Sequence, residues 1–211
     1  PETLLRIARQ VAEGMRHLHS LSMVHRDLKS DNVLLDLECN AKVADFGTSR
    51  ILGTVGPRDP APESDSDDAP DMTRAVGTQP WMAPEVFLGE STYGPEVDVY
   101  SFGIILWELV TRTDPWSELE APDYITHFRL LDEALRAGRR PTVPENLETE
   151  HAVYAATMRK CWATDAAARP SFEAAVFSLG LVPAAPPASP PTLPDGAHSP
   201  DTRAGPFATA G

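Results

Sequence analysis

The chain has 211 residues, which is enough for one domain with a hydrophobic core of its own. Apolar residues make up 42% of the composition and charged residues 23%, as in globular proteins, and the formal net charge of −13 argues against a nucleic-acid or anionic-membrane surface. Two cysteines give no disulfide framework and fit a reducing compartment, and no apolar run is long enough to span a bilayer.

The first predicted elements are a helix and a small β-hairpin. Residues 2–20 are predicted to form an amphipathic helix, because apolar side chains recur there at helical spacing: Leu4, Ile7, Val11, Met15 and Leu18. Residues 33–36 and 41–44 are short β-type runs on either side of a turn. They predict a hairpin that presents Asn32 and Asp45 on the same side.

The loop between this helix and the hairpin reads His-Arg-Asp-Leu-Lys-Ser-Asp-Asn over residues 25–32. It combines three side chains with chemistry suited to phosphoryl transfer. The Asp27 carboxylate can accept a hydrogen bond from a substrate hydroxyl, the Lys29 ammonium can neutralise a transferred phosphoryl group, and the Asn32 amide oxygen can bind magnesium. Asp45, in an Asp-Phe-Gly sequence, supplies a second carboxylate for the metal.

The rest of the chain alternates helices with two stretches of biased composition. Helices are predicted at 97–112, 121–138, 150–162 and 171–180, and the first of these is apolar nearly all round, which indicates a buried helix. Residues 56–71 are Pro-rich and acidic and are predicted to be disordered, as a solvated loop rather than a specific acidic docking site. Residues 182–211 are predicted to be a disordered Pro/Ala-rich tail, which leaves one domain at 1–181.

Three motifs together carry a family resemblance. A single Asp-Phe-Gly or His-Arg-Asp occurs easily by chance or in a surface turn, but here the loop at 25–32, Asp-Phe-Gly at 45–47 and Ala-Pro-Glu at 83–85 follow one another in order. In this arrangement the chain resembles the C-terminal lobe of a eukaryotic protein kinase. The resemblance implies an α+β, mainly α fold, namely a helical bundle with a small β-hairpin at the catalytic loop, and it implies ATP and Mg²⁺ as cofactors.

The resemblance also assigns roles to individual residues. Asp27, Lys29 and Thr78 would be catalytic, with Thr78 hydrogen-bonded to the other two. Lys29, Asn32, Leu34 and Asp45 would bind the nucleotide and its metal, with Leu34 as the floor under the adenine ring and Asn32 and Asp45 as the magnesium ligands. Structural roles fall to His25, Phe46, Glu85, Asp98 and Arg169. Among these, Asp98 would accept backbone hydrogen bonds from the His25–Arg26 region, and Glu85 would pair with Arg169.

The resemblance covers one lobe only, because no Gly-rich loop and no Val-Ala-Ile-Lys-like strand occurs in the 211 residues. The N-lobe is therefore expected to be absent from this chain, which begins with Pro1 and is expected to be cut from a longer, cytoplasmic kinase or from the cytosolic part of a membrane protein. By itself, 1–211 is expected to be inactive. The alternative is a truncated or pseudokinase-like lobe that binds partners without turnover.

Substrate class and regulation follow from finer features of the same motifs. Lys29 and Gly77-Thr78 fit serine/threonine kinases, whereas Trp81-Met82-Ala83 is more like tyrosine kinases, and the mixture resembles the tyrosine-kinase-like group of Raf and the mixed-lineage kinases. We therefore expect protein substrates phosphorylated on Ser or Thr, with dual specificity as the alternative. Thr73 is predicted to be a regulatory phosphorylation site whose phosphate would pair with Arg26. The carboxylates of Asp31 and Glu108 are placed where related kinases meet basic substrate residues.

Overall fold

The structure is a computed structural model that describes residues 2–51, 78–89 and 93–180. The predicted acidic insert at 56–71, the predicted regulatory Thr73 and the predicted tail at 182–211 lie outside these residues. The described part is mainly helical, with two small antiparallel sheets, and it agrees with the α+β, mainly α class expected from the sequence.

The described part of the chain contains seven α-helices, four short strands and three short 3₁₀ helices at Ser30–Asn32, Gln79–Trp81 and Ala166–Ala168. The helices are α1 (Glu2–Ser20), α2 (Pro84–Phe87), α3 (Glu96–Thr111), α4 (Tyr124–Arg136), α5 (Glu145–Glu150), α6 (Ala152–Cys161) and α7 (Phe172–Gly180). The strands are β1 (Met23–Val24), β2 (Val33–Leu35), β3 (Ala41–Val43) and β4 (Arg50–Ile51). β2 pairs with β3, as the sequence predicts, and β1 pairs with β4.

The α1 helix has the predicted bounds, and its apolar stripe faces the core. Ile7, Val11 and Met15 are buried on this face, together with two alanines and Leu18. The same helix contacts α7, α3 and β3. Because its last turn leads directly into β1 and the loop at 25–32, the packing of α1 fixes where that loop begins.

The α3 helix is the centre of the fold. All of its residues from Val97 to Trp107 are buried, and it packs against α6 and α1. A side chain at Gly103 would bring its Cβ to 2.9 Å from the backbone nitrogen of Trp162, so glycine is what lets the end of α6 approach this closely. In the part of the chain that the structure describes, no helix combines the length and hydropathy that a membrane crossing needs.

Several predicted boundaries differ from the observed ones. The helix predicted at 121–138 begins only at Tyr124, because the Asp123 side chain caps it by accepting a hydrogen bond from the Thr126 backbone N–H at 2.9 Å. The helix predicted at 150–162 is α6, which begins at Ala152, and the short helix α5 that precedes it across His151 was not predicted. The β1–β4 pair was not predicted, since strands of two residues carry no alternating pattern.

A second, smaller apolar cluster lies beside the main core. It consists of Trp116, Leu119, Leu131, Ala134 and Leu135. The Trp116 indole N–H donates to the Pro80 carbonyl oxygen at 3.2 Å. This cluster therefore supports residues 78–85, which we call the docking loop because the kinase resemblance implies a substrate-docking loop at 77–85.

Candidate active site

The loop at 25–32, here called the catalytic loop, is anchored to α3 by one buried carboxylate. Asp98 is 1% exposed and accepts hydrogen bonds from the backbone N–H groups of His25, at 2.8 Å, and Arg26, at 2.9 Å. A third bond joins Asp98 to His19 Nε2 at 2.8 Å. A buried carboxylate without such donors would be costly, so Asp98 and the loop stabilise each other. Arg26 has a φ of +72°, a strained conformation that these bonds hold in place.

His25 links the catalytic loop to the segment that carries Asp45. Its Nε2 atom lies 3.0 Å from the Ala44 carbonyl oxygen, and because a carbonyl can only accept, Nε2 carries the proton. The Nδ1 atom can then accept from the Asp27 backbone N–H at 3.4 Å. The His25 and Phe46 rings lie 5.4 Å apart between centroids. The buried imidazole therefore packs and hydrogen-bonds between the two motifs.

Asp27, Lys29 and Thr78 form a compact hydrogen-bonded cluster. The Thr78 hydroxyl donates to Asp27 Oδ1 at 2.8 Å, and Lys29 Nζ donates to Thr78 Oγ1 at 2.6 Å. Lys29 Nζ also lies 3.2 Å from Asp27 Oδ2, and the side chains of this ion pair are only 14% exposed for the aspartate and 19% for the lysine. Both contacts expected of Thr78 are therefore present, although Thr78 and Asp27 are 51 residues apart in the sequence.

Hydrogen bonds to backbone atoms hold Asn32 beside this cluster and bring the segment of Asp45 against Asn32. Asn32 is buried and its Nδ2 atom donates to the Asp27 carbonyl oxygen at 2.7 Å. The Ala44 backbone N–H donates to the Asn32 carbonyl oxygen at 2.8 Å, which brings the residue before Asp45 against Asn32. Asp45 is exposed, has a φ of +60°, and its Oδ1 atom accepts from the Gly47 backbone N–H at 3.3 Å.

Side-chain oxygens for a metal ion are available at these two positions. Among the described residues none donates a hydrogen bond to Asn32 Oδ1, and the Asp45 carboxylate is open to solvent. Within residues 2–51, 78–89 and 93–180, no group of three or more His, Cys, Asp or Glu side chains has the arrangement of a metal site. One amide and one carboxylate suit magnesium, which is commonly held by one or two protein carboxylates with water and phosphate oxygens completing its shell.

Two large apolar side chains near these groups are exposed. Leu34, which pairs with Lys42 across the β2–β3 hairpin, is 57% exposed, and Phe46 is 49% exposed. Both belong to motifs that the sequence assigns to the nucleotide site. The structure thus has an uncovered apolar surface directly beside the candidate metal ligands.

The predicted pair of Glu85 and Arg169 is present and buried. The two guanidinium nitrogens of Arg169 donate to the two carboxylate oxygens of Glu85 at 2.6 and 2.8 Å. Arg169 also donates to the carbonyl oxygens of Ala163 and Glu96, and it lies over the Tyr100 ring at 5.1 Å. Since none of these atoms reaches Asp27, the pair fixes the end of the docking loop and takes no part in the catalytic cluster.

Sequence reasoning missed Ser101 and the role of His19, and it considered Glu108 only as a contact for basic substrate residues, not for the side chains it bonds here. Ser101 donates to the Trp81 carbonyl oxygen at 2.8 Å, and Glu108 accepts from the Trp81 indole N–H at 2.6 Å and from the Ser30 hydroxyl at 2.9 Å. Burial raises the pKa of Glu108 to about 7 against the opposing effect of these two hydrogen bonds. The signal in the sequence was polar residues within an otherwise apolar helix.

Comparison with known proteins decides the family. The profile of the protein tyrosine and serine/threonine kinase family matches residues 1–179. The chain belongs to the protein kinase family. The matched residues contain all three kinase motifs, and the α+β fold of the described residues is that of a kinase fragment.

Several curated kinases are similar to this one over most of its length. A probable LIM domain-containing serine/threonine-protein kinase of Dictyostelium discoideum is 37% identical over 81% of this chain, which spans 22% of that protein. The RGS domain-containing serine/threonine-protein kinase A of the same organism is 38% identical over 80% of the chain, which spans 13% of it. A serine/threonine-protein kinase of Arabidopsis thaliana is 34% identical over 84% of the chain, which spans 27% of it. The chain thus corresponds to a minor part of each relative.

Proposed function

We propose that this chain is the C-terminal lobe of a kinase that transfers the γ-phosphoryl group of ATP to serine and threonine residues of protein substrates. The observation that carries the proposal is the cluster of Asp27, Lys29 and Thr78, in which a carboxylate, an ammonium and a hydroxyl from two distant loops are mutually hydrogen-bonded. Phosphoryl transfer depends on positioning and electrostatic stabilisation, and this cluster supplies both.

Each member of the cluster has a distinct role in this proposal. Asp27 accepts a hydrogen bond from the substrate hydroxyl and orients it, since a carboxylate has acceptor sites beyond the one that Thr78 uses. Lys29 places a positive charge beside the transferred group. Thr78 holds both in register and contacts the reacting groups only through them, although the sequence grouped it with the catalytic residues.

The donor set fits Mg²⁺ and ATP. Asn32 and Asp45 would hold the metal ion, which would neutralise negative charge on the phosphates when bound. The burial of Asn32 and its bond to the Asp27 backbone fix the orientation of its amide, so that Oδ1 is the atom available to the ion. Leu34 would lie beneath the adenine ring, in keeping with its exposure on β2.

The assignment to Ser/Thr substrates rests on Lys29 and Thr78, supported by the printed names of the relatives. The features shared with tyrosine kinases favour the tyrosine-kinase-like group. The exposed Leu34 and Phe46 would be covered by an N-terminal lobe or an upstream domain, which would also supply the Gly-rich loop and strand lysine over the phosphates. We place such a protein in the cytoplasm, or in the cytosolic part of a longer membrane protein.

We also propose that Arg26 receives a regulatory phosphate. Among the described residues its Nε atom is buried without a hydrogen-bond partner. A phosphate on Thr73 would add about −1.5 to −2 charge and three acceptor oxygens, which a guanidinium binds well. Phosphorylation of Thr78 would instead remove the hydroxyl that joins Asp27 and Lys29 and is expected to inhibit.

The second candidate function is a protein-binding lobe without turnover, and the 211 residues favour it in one respect, since they contain no Gly-rich loop or strand lysine. Sequencing the transcript upstream of the Pro1 codon separates the two. An open reading frame with both features supports the kinase, and a start codon at this point without them refutes it for this product.

Nucleotide binding provides the biochemical test. In the protein with its N-terminal lobe, Asp45→Asn is expected to weaken Mg²⁺-dependent ATP binding in calorimetry, because one of the two metal oxygens loses its charge. The matched control is Asp132→Asn, which removes a surface carboxylate paired with Arg136. Equal Mg²⁺-dependent affinity in the two variants would refute the metal assignment.

A further inference from the structure

Helix α3 carries a polar stripe on its otherwise apolar surface. Asp98, Ser101 and Glu108 are separated by three and seven residues, which places them along one face of the helix. Each bonds to a loop of the candidate site: Asp98 to the catalytic loop, Ser101 to the docking loop and Glu108 to both. Glu108 is therefore the member of the stripe that connects the two loops to each other.

The two loops are joined at two places. The direct link is the pair of bonds that Thr78 makes with Lys29 and Asp27. The second link runs from the Ser30 hydroxyl to Glu108 Oε1 and from Glu108 Oε2 to the Trp81 indole N–H. Ser30 directly follows Lys29 and Trp81 comes three residues after Thr78, so the second link restrains the same pair of backbone segments from the side of α3.

The Glu108 carboxylate lies in an environment that disfavours its charge, which indicates that its role is to accept from the Ser30 hydroxyl and the Trp81 indole N–H. Its side chain is partly buried, and this burial, with a smaller effect from the nearby carboxylates of Asp114 and Asp31, raises its pKa to about 7. An apolar side chain here would avoid this desolvation but would leave the Trp81 indole N–H without an acceptor. The Glu108 carboxylate therefore supplies the acceptor for the Trp81 indole N–H, although burial disfavours its charged form.

We propose that Glu108 is a positioning residue that sets the register of the docking loop against the catalytic loop, so that Thr78 stays within hydrogen-bond distance of Asp27 and Lys29. Its consequence for catalysis rests on the proposed function. The structural part does not, because the position of the docking loop can be measured in the chain itself without any phosphoryl transfer.

The test is hydrogen exchange, followed by NMR, in the 211-residue chain. The probe is the Met82 backbone N–H, which donates to the Gln79 carbonyl oxygen at 3.1 Å in the turn beside Trp81. Glu108→Ala is expected to speed exchange of this amide by about tenfold or more, while an amide in the core of α3, such as that of Ile104, changes much less. Equal acceleration at both amides would mean a general loss of stability and would overturn the proposal.

Two matched variants separate positioning from charge. In Glu108→Gln the amide oxygen can accept from Trp81 and the amide N–H can donate to Ser30, so Met82 exchange is expected to stay near that of the wild type. Asp114→Asn removes a neighbouring charge without a bond to either loop and is also expected to be neutral. If Glu108→Gln behaves like Glu108→Ala, the negative charge of Glu108 rather than its two hydrogen bonds holds the docking loop, and the proposal is wrong.

Should Glu108→Ala fail to fold, Trp81→Phe tests the same link, since it removes the indole donor and keeps an aromatic ring. It is expected to speed Met82 exchange by about tenfold relative to the Ile104 amide. Met82 exchange within about twofold of the wild type would overturn the proposal.

In the protein with its N-terminal lobe, Glu108→Ala is expected to lower kcat and Glu108→Gln to restore it. If Glu108→Ala loses Met82 protection but neither the wild type nor any variant transfers phosphate, the proposed function is refuted and the positioning role of Glu108 is not.

Discussion

Replacement of Arg169 by methionine is expected to destabilise the fold severely. The Arg169 side chain is fully buried and that of Glu85 is 11% exposed, and two hydrogen bonds of 2.6 and 2.8 Å join them. Removing one partner of a buried ion pair leaves the other charge desolvated, which costs about 3–5 kcal/mol. The Ala163 and Glu96 carbonyl oxygens would also lose a donor. Because a domain of this kind is stable by about 5–15 kcal/mol, the variant should lose a large share of its stability and unfold at a clearly lower urea concentration.

The assay is urea unfolding of residues 1–211, followed by tryptophan fluorescence and circular dichroism. The matched control is Arg159→Met, which breaks the ion pair with Glu148, whose side chains are 51% and 56% exposed. Such a surface pair contributes about 0–1 kcal/mol, so the control should unfold nearly as the wild type does.

A destabilisation below about 1 kcal/mol for Arg169→Met would refute the reasoning, because it would place the buried pair in the range of surface pairs. The double variant Glu85→Met/Arg169→Met provides a further check. Since it removes both charges and fills the space with apolar atoms, it should be more stable than Arg169→Met alone. The opposite order would mean that the cost lies in the packing of Arg169 rather than in the unpaired carboxylate.

Three further predictions concern activity, regulation and pH. Purified residues 1–211 should give negligible phosphorylation of a generic protein substrate in a radiolabelled ATP assay, and robust transfer would contradict the need for an N-terminal lobe. In the longer kinase, Thr73→Ala should lower activity after activation in cells, whereas a Ser64→Ala/Ser66→Ala variant should not; full activity of Thr73→Ala would disprove the switch. The pKa of Glu108 is raised from 4.5 to about 7, so its contribution to stability is present below pH 4.5 and lost as pH rises through 7. The free energy of urea unfolding of the wild type should therefore be lower at pH 8 than at pH 5, and this difference should be smaller in Glu108→Gln.

The sequence predicted the elements whose pattern is periodic or whose motif is local. The apolar stripe of α1, the two strands of the β2–β3 hairpin and the apolar α3 are all in the expected places. The contact between Thr78 and Asp27 also followed from the motifs, although no periodic pattern in the sequence relates two residues that are 51 positions apart. Motif order, and not periodicity, carried that prediction.

The unpredicted features depend on tertiary contacts. His19 lies in the last turn of an amphipathic helix, where no motif in the sequence marks it, but the fold brings it to Asp98, 79 residues away. Ser101 and Glu108 lie within an apolar helix, and only the positions of the two loops reveal their partners. The start of α4 was missed because Asp123 caps the helix after a segment that the pattern alone could not distinguish from helix.

The most direct test of the central claim is the rate of phosphoryl transfer by the longer kinase with Asp27→Asn. The replacement has nearly the same shape, and an amide oxygen can still accept from the Thr78 hydroxyl, so the fold and its thermal midpoint should be preserved. The rate of transfer from ATP to a serine or threonine peptide should nevertheless fall by about a hundredfold or more, as when a positioned proton acceptor is removed. An unchanged rate in a folded Asp27→Asn variant would contradict the assignment of this cluster as the catalytic centre.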